Sequence, residues 1–320
     1  MATTARRCEA CGNYIDDEDL FCSNCGRESP REGEAPHTEV EEGFMGFDCE
    51  SCGASLTYDA QVEGLRCSFC GSVRMKRQPA VTGRIRAEFC LPFEVTRDDA
   101  VRAFRSWISR GFFRPSGLAS GARLVSMQAV YIPFWTFRGK THTYYTGDSS
   151  HTPAGARASW CPVFGERSVE VNEILVCASG SLAPGEVRGL APFDFSRKRP
   201  YRREELHSYA VEDFGVSRRG ARPLARALIL EVERAACVAL IPGSSRNVNV
   251  NPLVTDMQSD PVLLPVWINA YRFRDVVYRF CVNGQTGKIV GNAPFSLLKL
   301  ALIIVGGLAL AAAAAAVLMR

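Results

Sequence analysis

Apolar and polar positions change their spacing several times along the chain, and each change predicts an element. Residues 1–43 are polar and acid-rich, with only short apolar interruptions. "SLTYDAQVEGLRC" (Ser55 to Cys67) alternates, which predicts two short strands around a turn at Glu63-Gly64. Helical spacing then takes over in Thr96–Phe113, where Val101, Phe104, Trp107 and Ile108 form one apolar face. Thr96 is placed to cap that helix, Asp98 and Asp99 favour its positive end, and Gly111 marks its exit. "RLVSMQAVYIPFWTFRGKTHTYYTGD" is rich in aromatic and β-branched residues in alternation and predicts strands. A second helix is expected over Leu224–Ala239, and "NGQTG" (Asn283 to Gly287) signals a hairpin turn. The chain closes on Leu300–Met319, twenty consecutive residues without a charge.

Two of the strand-like stretches echo each other. "VYIPFWTFRGK" and "LLPVWINAYRF" share an apolar-Pro-apolar-Trp core, with Pro133 and Trp135 matched by Pro265 and Trp267, 132 residues on. Two readings stay open: strands that happen to begin alike, or a duplicated sheet whose tryptophans meet in one core.

Composition adds the class. A hydrophobic content of 47 % with 22 % charged residues belongs to a globular chain rather than a disordered one. The net charge of +4 hides an asymmetry. Residues 1–42 carry four Arg against eleven Asp/Glu, whereas residues 79–296 carry 28 Lys/Arg against 19 Asp/Glu. Any phosphate-binding character therefore belongs to the middle of the chain.

Eight of the thirteen cysteines fall into four Cys-x-x-Cys-Gly units. Cys8 and Cys11 pair with Cys22 and Cys25 across ten residues; Cys49 and Cys52 pair with Cys67 and Cys70 across fourteen. Two residues between ligands let one tight turn present both sulfurs to one ion, and Gly permits the positive φ of such a knuckle. These eight residues are the candidate ligands of two structural Zn2+ ions, with redox dithiols and an iron–sulfur cluster as the alternatives. All four positions of each site are thiolates, so an open catalytic zinc is not expected. The remaining cysteines (Cys90, Cys161, Cys177, Cys237, Cys281) sit singly among apolar neighbours and read as buried hydrophobes. His142, His151 and His207 are isolated, and "RKRPYRREE" (Arg197 to Glu205) is the most basic run.

The second cysteine set, followed by "FCLPFEVTRDDAVRAFRSWISRGFFRPSGL", "VYIPFWTF" and "LLPVWINAYRFRDVVYRFCVNGQTGK", resembles a bacterial family of zinc-ribbon proteins. Its members are labelled as similar to the transcription-factor-IIB ribbon or as primosomal protein N-prime-like. The resemblance covers residues 47–295. The helicase motor in the second label is absent, because the near P-loop Gly139-Lys140-Thr141 has Phe134 where the earlier glycine is required.

The sequence thus predicts a multi-domain α+β chain: a ribbon at 1–28, an acidic linker at 29–46, a second ribbon at 47–76, a mainly antiparallel α+β domain at 77–295 and a transmembrane helix at 297–319. Twenty helical residues rise about 30 Å, the thickness of a bilayer core. With reduced thiolates and no leader at the N-terminus, residues 1–296 are expected in the cytoplasm, on a tail anchor. The expected function is a non-enzymatic adaptor for a protein partner, with Leu300–Met319 in the lipid bilayer and nucleic-acid binding as the alternative.

Overall fold

The computed structural model describes residues 6–7, 14–15, 44–51, 55–59, 67, 72–77, 87–152, 155, 159–202 and 209–318. Strands β1 (Arg6–Arg7) and β2 (Tyr14–Ile15) form a small antiparallel pair. The other eleven strands belong to a single sheet. They are β3 (Phe44–Cys49), β4 (Ser55–Asp59), β5 (Met75–Arg77), β6 (Phe89–Cys90), β7 (Arg123–Ser149), β8 (Cys161–Cys177), β9 (Arg199–Pro200), β10 (Ala210–Glu212), β11 (Ser245–Phe273), β12 (Val276–Asn283) and β13 (Ile289–Gly291). Helices α1 (Arg97–Ser109), α2 (Leu118–Gly121), α3 (Pro184–Leu190), α4 (Arg218–Leu240) and α5 (Leu297–Leu318) pack around it or leave it.

The axis of the sheet is the antiparallel pair β7–β11, two strands of 27 and 29 residues. Ile132 and Leu264, the residues before the two echoed prolines, are directly opposite one another across this pair. A pseudo-two-fold axis through them relates the two halves of the domain. Strand β6 runs parallel to β11 with Phe89 at Val262 and Cys90 at Leu263; β10 runs parallel to β7 with Ala210 at Val130 and Val211 at Tyr131. Glu94 N and Val95 N donate to Gly284 O, as Gly215 N and Val216 N donate to Ala178 O. Gly284 N donates to Pro265 O at 2.9 Å, and Ala178 N to Pro133 O at 2.9 Å. Each half is therefore a short strand, a helix, a long strand and a returning strand. The duplication extends to "FEVTR" (Phe93 to Arg97) and "FGVSR" (Phe214 to Arg218), which enter α1 and α4.

Both helices start for the same local reason. Thr96 Oγ1 accepts from Asp99 N at 3.2 Å, with the Asp99 carboxylate returning to Thr96 N, and Ser217 Oγ accepts from Gly220 N at 3.2 Å. The tryptophans of the echo anchor these entries. Trp267 Nε1 donates to Val95 O at 3.0 Å, and Trp135 Nε1 donates to Val216 O at 2.8 Å. They lie in different clusters: Trp267 beside Phe104, Ile108 and Tyr271 under α1, Trp135 beside Ala221 and Ala225 under α4. The duplicated-sheet reading holds, but the tryptophans occupy two related cores rather than a shared one. The opposite face of the sheet carries the largest apolar cluster, in which Val130, Ile132 and Phe134 meet their symmetry mates Val262, Leu264 and Val266.

The sequence-derived architecture is corrected on two points. The second cysteine segment is not a free-standing ribbon. Its strands extend the large sheet in the order β7–β10–β4–β3–β5, because β10 pairs antiparallel with β4 on the side away from β7. A short hairpin has too little apolar surface of its own, and this pairing supplies a neighbour. Among the described residues no group of three or more His, Cys, Asp or Glu side chains is placed to hold a metal ion. The tail is the second correction: among the described residues no helix is long and apolar enough to cross a membrane. The single-pass anchor through Leu300–Met319, and the cytoplasmic placement of residues 1–296 that followed from it, are withdrawn. An uncharged run measures apolarity but not where a helix is fastened. Ser296 N donates to Phe113 O at 2.7 Å, and Lys299 Nζ donates to Phe112 O at 3.2 Å and Arg114 O at 2.8 Å. The first turn of α5 is thus tied to the segment after α1.

Candidate functional site

Of the eight cysteines expected to bind zinc, the described residues include two. Cys49, at the end of β3, and Cys67, ahead of β5, are each 1 % exposed and belong to the same buried cluster. The backbone brings their knuckles together. Cys49 is in register with Met75, Cys67 N donates to Ser72 O at 2.8 Å, and Ser51 Oγ and Ser72 Oγ are 2.8 Å apart. Cys52 and Cys70, and the first set Cys8, Cys11, Cys22 and Cys25, lie outside the described residues, as do the linker 29–43 and His207.

The scattered cysteines behave as small hydrophobes. Cys90, Cys237 and Cys281 are buried, and Cys161 and Cys177 half-buried. Burial pushes the Cys177 and Cys281 thiols up to about 12, so neither supplies a thiolate nucleophile at neutral pH. His142 is not isolated after all: its Nδ1 lies 2.6 Å from Ser168 Oγ and its Nε2 3.4 Å from Glu166, with the Tyr144 ring 4.6 Å away. Cross-strand register on β7–β8 makes this cluster, which is why single-strand reading misses it. Tyr144, Glu166 and Ser168 are exposed and His142 half-buried, so the cluster faces solvent.

Two buried acids lie outside any sequence motif. Glu233, on α4, is fully buried; Thr143 Oγ1 donates to it at 2.8 Å, and Arg167 Nε lies 3.6 Å away. Glu212, at the end of β10, is 4 % exposed and accepts from Ser181 Oγ, while its Oε2 has no hydrogen-bond partner. Burial, above all, raises its carboxyl to about 7.

Among the described residues, α4 carries several exposed aliphatic side chains. This helix covers the β8–β7–β11 arm, yet it buries only a narrow stripe at i, i+4 spacing: Ala221, Ala225, Ile229, Glu233 and Cys237. Leu224, Leu230, Val232, Val238 and Leu240 remain 38–53 % exposed. Arg219, Arg226 and Arg234 stand exposed among them. Glu231, the single exposed acid of the helix, has its Oε2 3.8 Å from Arg188 of α3. The surface is therefore apolar and basic together. Sequence reading placed a helix over Leu224–Ala239 but not its exposure.

Comparison with known proteins adds one distant relative. The chain is 28 % identical over 319 residues to the uncharacterized protein YdjG of Bacillus subtilis (strain 168), an alignment covering 81 % of this chain and 92 % of that one. No protein family matches the chain, and no solved structure matches it.

Proposed function

We propose that this chain is an interaction module that docks an acidic, amphipathic helix of a partner protein on the outer face of α4. The observation that carries this reading is the exposure of Leu224, Leu230, Val232, Val238 and Leu240 between Arg219, Arg226 and Arg234. A helix packed only against its own sheet shows an apolar stripe inward and polar residues elsewhere; here aliphatic side chains remain exposed on both flanks of the buried stripe. Arg226, Leu230, Arg234 and Val238 follow one another at i, i+4 spacing along one flank of the helix, so exposed aliphatic and basic side chains alternate there and the arginines select the sign of the partner. A helix laid alongside α4 would bury the leucines and valines and set its carboxylates against the guanidinium groups. Nucleic acid is the weaker reading, since phosphates gain nothing from the aliphatic residues that separate the arginines.

The cysteine hairpin has a supporting role in this reading. Cys49, Cys52, Cys67 and Cys70 would hold one structural Zn2+, and the burial of Cys49 and Cys67 together suits a closed site with no open ligand position. Soft thiolates favour zinc over the hard cations, and the metal would supply folding energy to a segment with little core of its own.

The test is photo-crosslinking in intact cells from a reactive amino acid placed at position 230, with position 112 as control. A discrete protein adduct from position 230, lost when Arg226→Glu and Arg234→Glu are added, is the expected result. Nucleic acid in the adduct would transfer the site to the alternative reading. No adduct from position 230 at any expression level would overturn both.

A further inference from the structure

The pseudo-two-fold relates the two halves closely enough to compare them position by position, and one buried position differs in kind. By the register that relates β6 to β10, Leu91 in the first half corresponds to Glu212 in the second. Leu91 is fully buried and its N donates to Leu263 O at 3.0 Å. An aliphatic side chain thus satisfies this place in the fold, and a carboxyl is not needed to build it.

The surroundings of Glu212 suit a neutral carboxyl better than a charge. Burial is the reason; Ser181 Oγ donates to Oε1 and the Ser179 hydroxyl lies against the group, and both contacts favour the anion without outweighing burial. The Arg279 guanidinium is within electrostatic reach, but it donates to Ser181 O at 2.8 Å and its Nε lies 3.8 Å from Glu186, so its charge is shared. Asp213 follows in the chain and opposes ionisation, and the Cys177 thiol beside the cluster is neutral. Ionised, the group would be a buried charge with Oε2 unsatisfied, a state relieved by admitting water.

Water is most easily admitted on one side. Strand β10 is three residues long, and its inner neighbour β7 belongs to the core. Its outer neighbour β4 is joined to it by two register pairs, Val211 with Thr57 and Glu212 with Leu56. Those pairs, together with the packing of Cys49 and Cys67 in the apolar cluster of Val130 and Leu264, hold the β3–β4–β5 segment to the duplicated domain.

We propose that Glu212 is a proton-operated fastening: with its carboxyl neutral, β4 stays paired to β10, and its ionisation frees the cysteine hairpin from the duplicated core. The direction follows from linkage. A carboxyl raised from its ordinary value of 4.5 to about 7 keeps its proton when closed and loses it when opened to water. Closure is therefore strongest below pH 4.5, weakens as pH rises towards about 7, and is level above that.

Hydrogen exchange of the full-length protein, corrected for the intrinsic pH dependence of exchange, tests this. Amides of β4 are expected to lose protection relative to those of β12 on the order of a hundredfold between pH 5 and pH 8. Glu212→Gln, which cannot ionise, and Glu212→Leu, which copies Leu91, are expected to hold β4 protection level over the same range. A level response in the unmodified protein would sink the idea, and so would a drop that survives in both variants. Failure of both variants to fold would also count against it, because a fastening is dispensable to the core.

Discussion

Trp135 and Trp267 are the residues on which each half of the domain turns. Each indole donates to the carbonyl of the residue that precedes a helix cap, Val216 in one case and Val95 in the other. Each side chain also fills the core beneath that helix. Replacing either with Phe removes the indole donor and strands a part-buried carbonyl, a loss of about 1–2 kcal/mol. The two losses should be similar, because the contacts are related by symmetry. They should add in the double variant, because the clusters are separate. Urea denaturation of the three variants checks both statements, and a coupling well above 0.5 kcal/mol would contradict the separation. Single residues also explain where sequence reading stopped short. Arg274 and Asp275 make the β11–β12 turn with φ of 48° and 64°, a conformation usually signalled by Asn or Gly, so no turn motif announced it.

Among the elements, the two symmetry-related helices behave alike at their entries and differently along their lengths. Thr96→Ala and Ser217→Ala each remove a side-chain acceptor for a first-turn amide, at a cost of about 1 kcal/mol. Thr96 should cost the more, because its capping box is reciprocal: the Asp99 carboxylate returns to the Thr96 amide and hydroxyl. Thermal unfolding of the two single variants measures the difference. Helix α4 starts at Arg218, six residues before the expected Leu224, although Pro223 lies inside it. Proline removes one backbone donor near the start, and the Ser217 cap with the packing of Ala221 under Trp135 offsets that loss. Sequence spacing sees the proline and not the cap-and-core contact that outweighs it.

At the scale of the whole molecule, a duplicated sheet carries a cysteine hairpin on one edge and a basic, aliphatic helix on one face. In the proposed arrangement the metal organises the hairpin, whose Cys49 and Cys67 also pack in the apolar cluster of Val130, Ile132 and Leu264. Cys49→Ser or Cys67→Ser should therefore remove about one equivalent of zinc and open β3–β4 to protease. Unfolding of the remaining domain should shift as well, by about 0.5–3 kcal/mol, because Cys49 and Cys67 share its largest apolar cluster, while the two helix cores lie elsewhere. Metal analysis with limited proteolysis checks this, and a variant with full zinc and an intact hairpin would refute the assignment. The acidic N-terminal region and the basic middle, visible as composition, do not by themselves place a binding surface. The arginines matter because α4 holds Arg219, Arg226 and Arg234 outward among exposed aliphatics.

The sequence alone determined what local chemistry determines. The Thr96 cap and the spacing of Phe104 and Ile108 specify α1, alternation specifies β7 and β11, and the "NGQTG" turn specifies the β12–β13 return. It also disclosed the Pro-Trp echo without deciding its meaning. Tertiary structure decided the rest, because each remaining feature depends on which distant backbones meet. Only pairing of Ile132 with Leu264 makes the echo a symmetry axis, and only the pairing of β10 with β4 attaches the cysteine hairpin to the sheet. The tie of Lys299 to the loop after α1 is likewise invisible in a run of uncharged residues. Glu212 shows the limit most clearly: in the sequence it is one acid among 34 acidic residues, and burial opposite the place of Leu91 is what makes its charge costly.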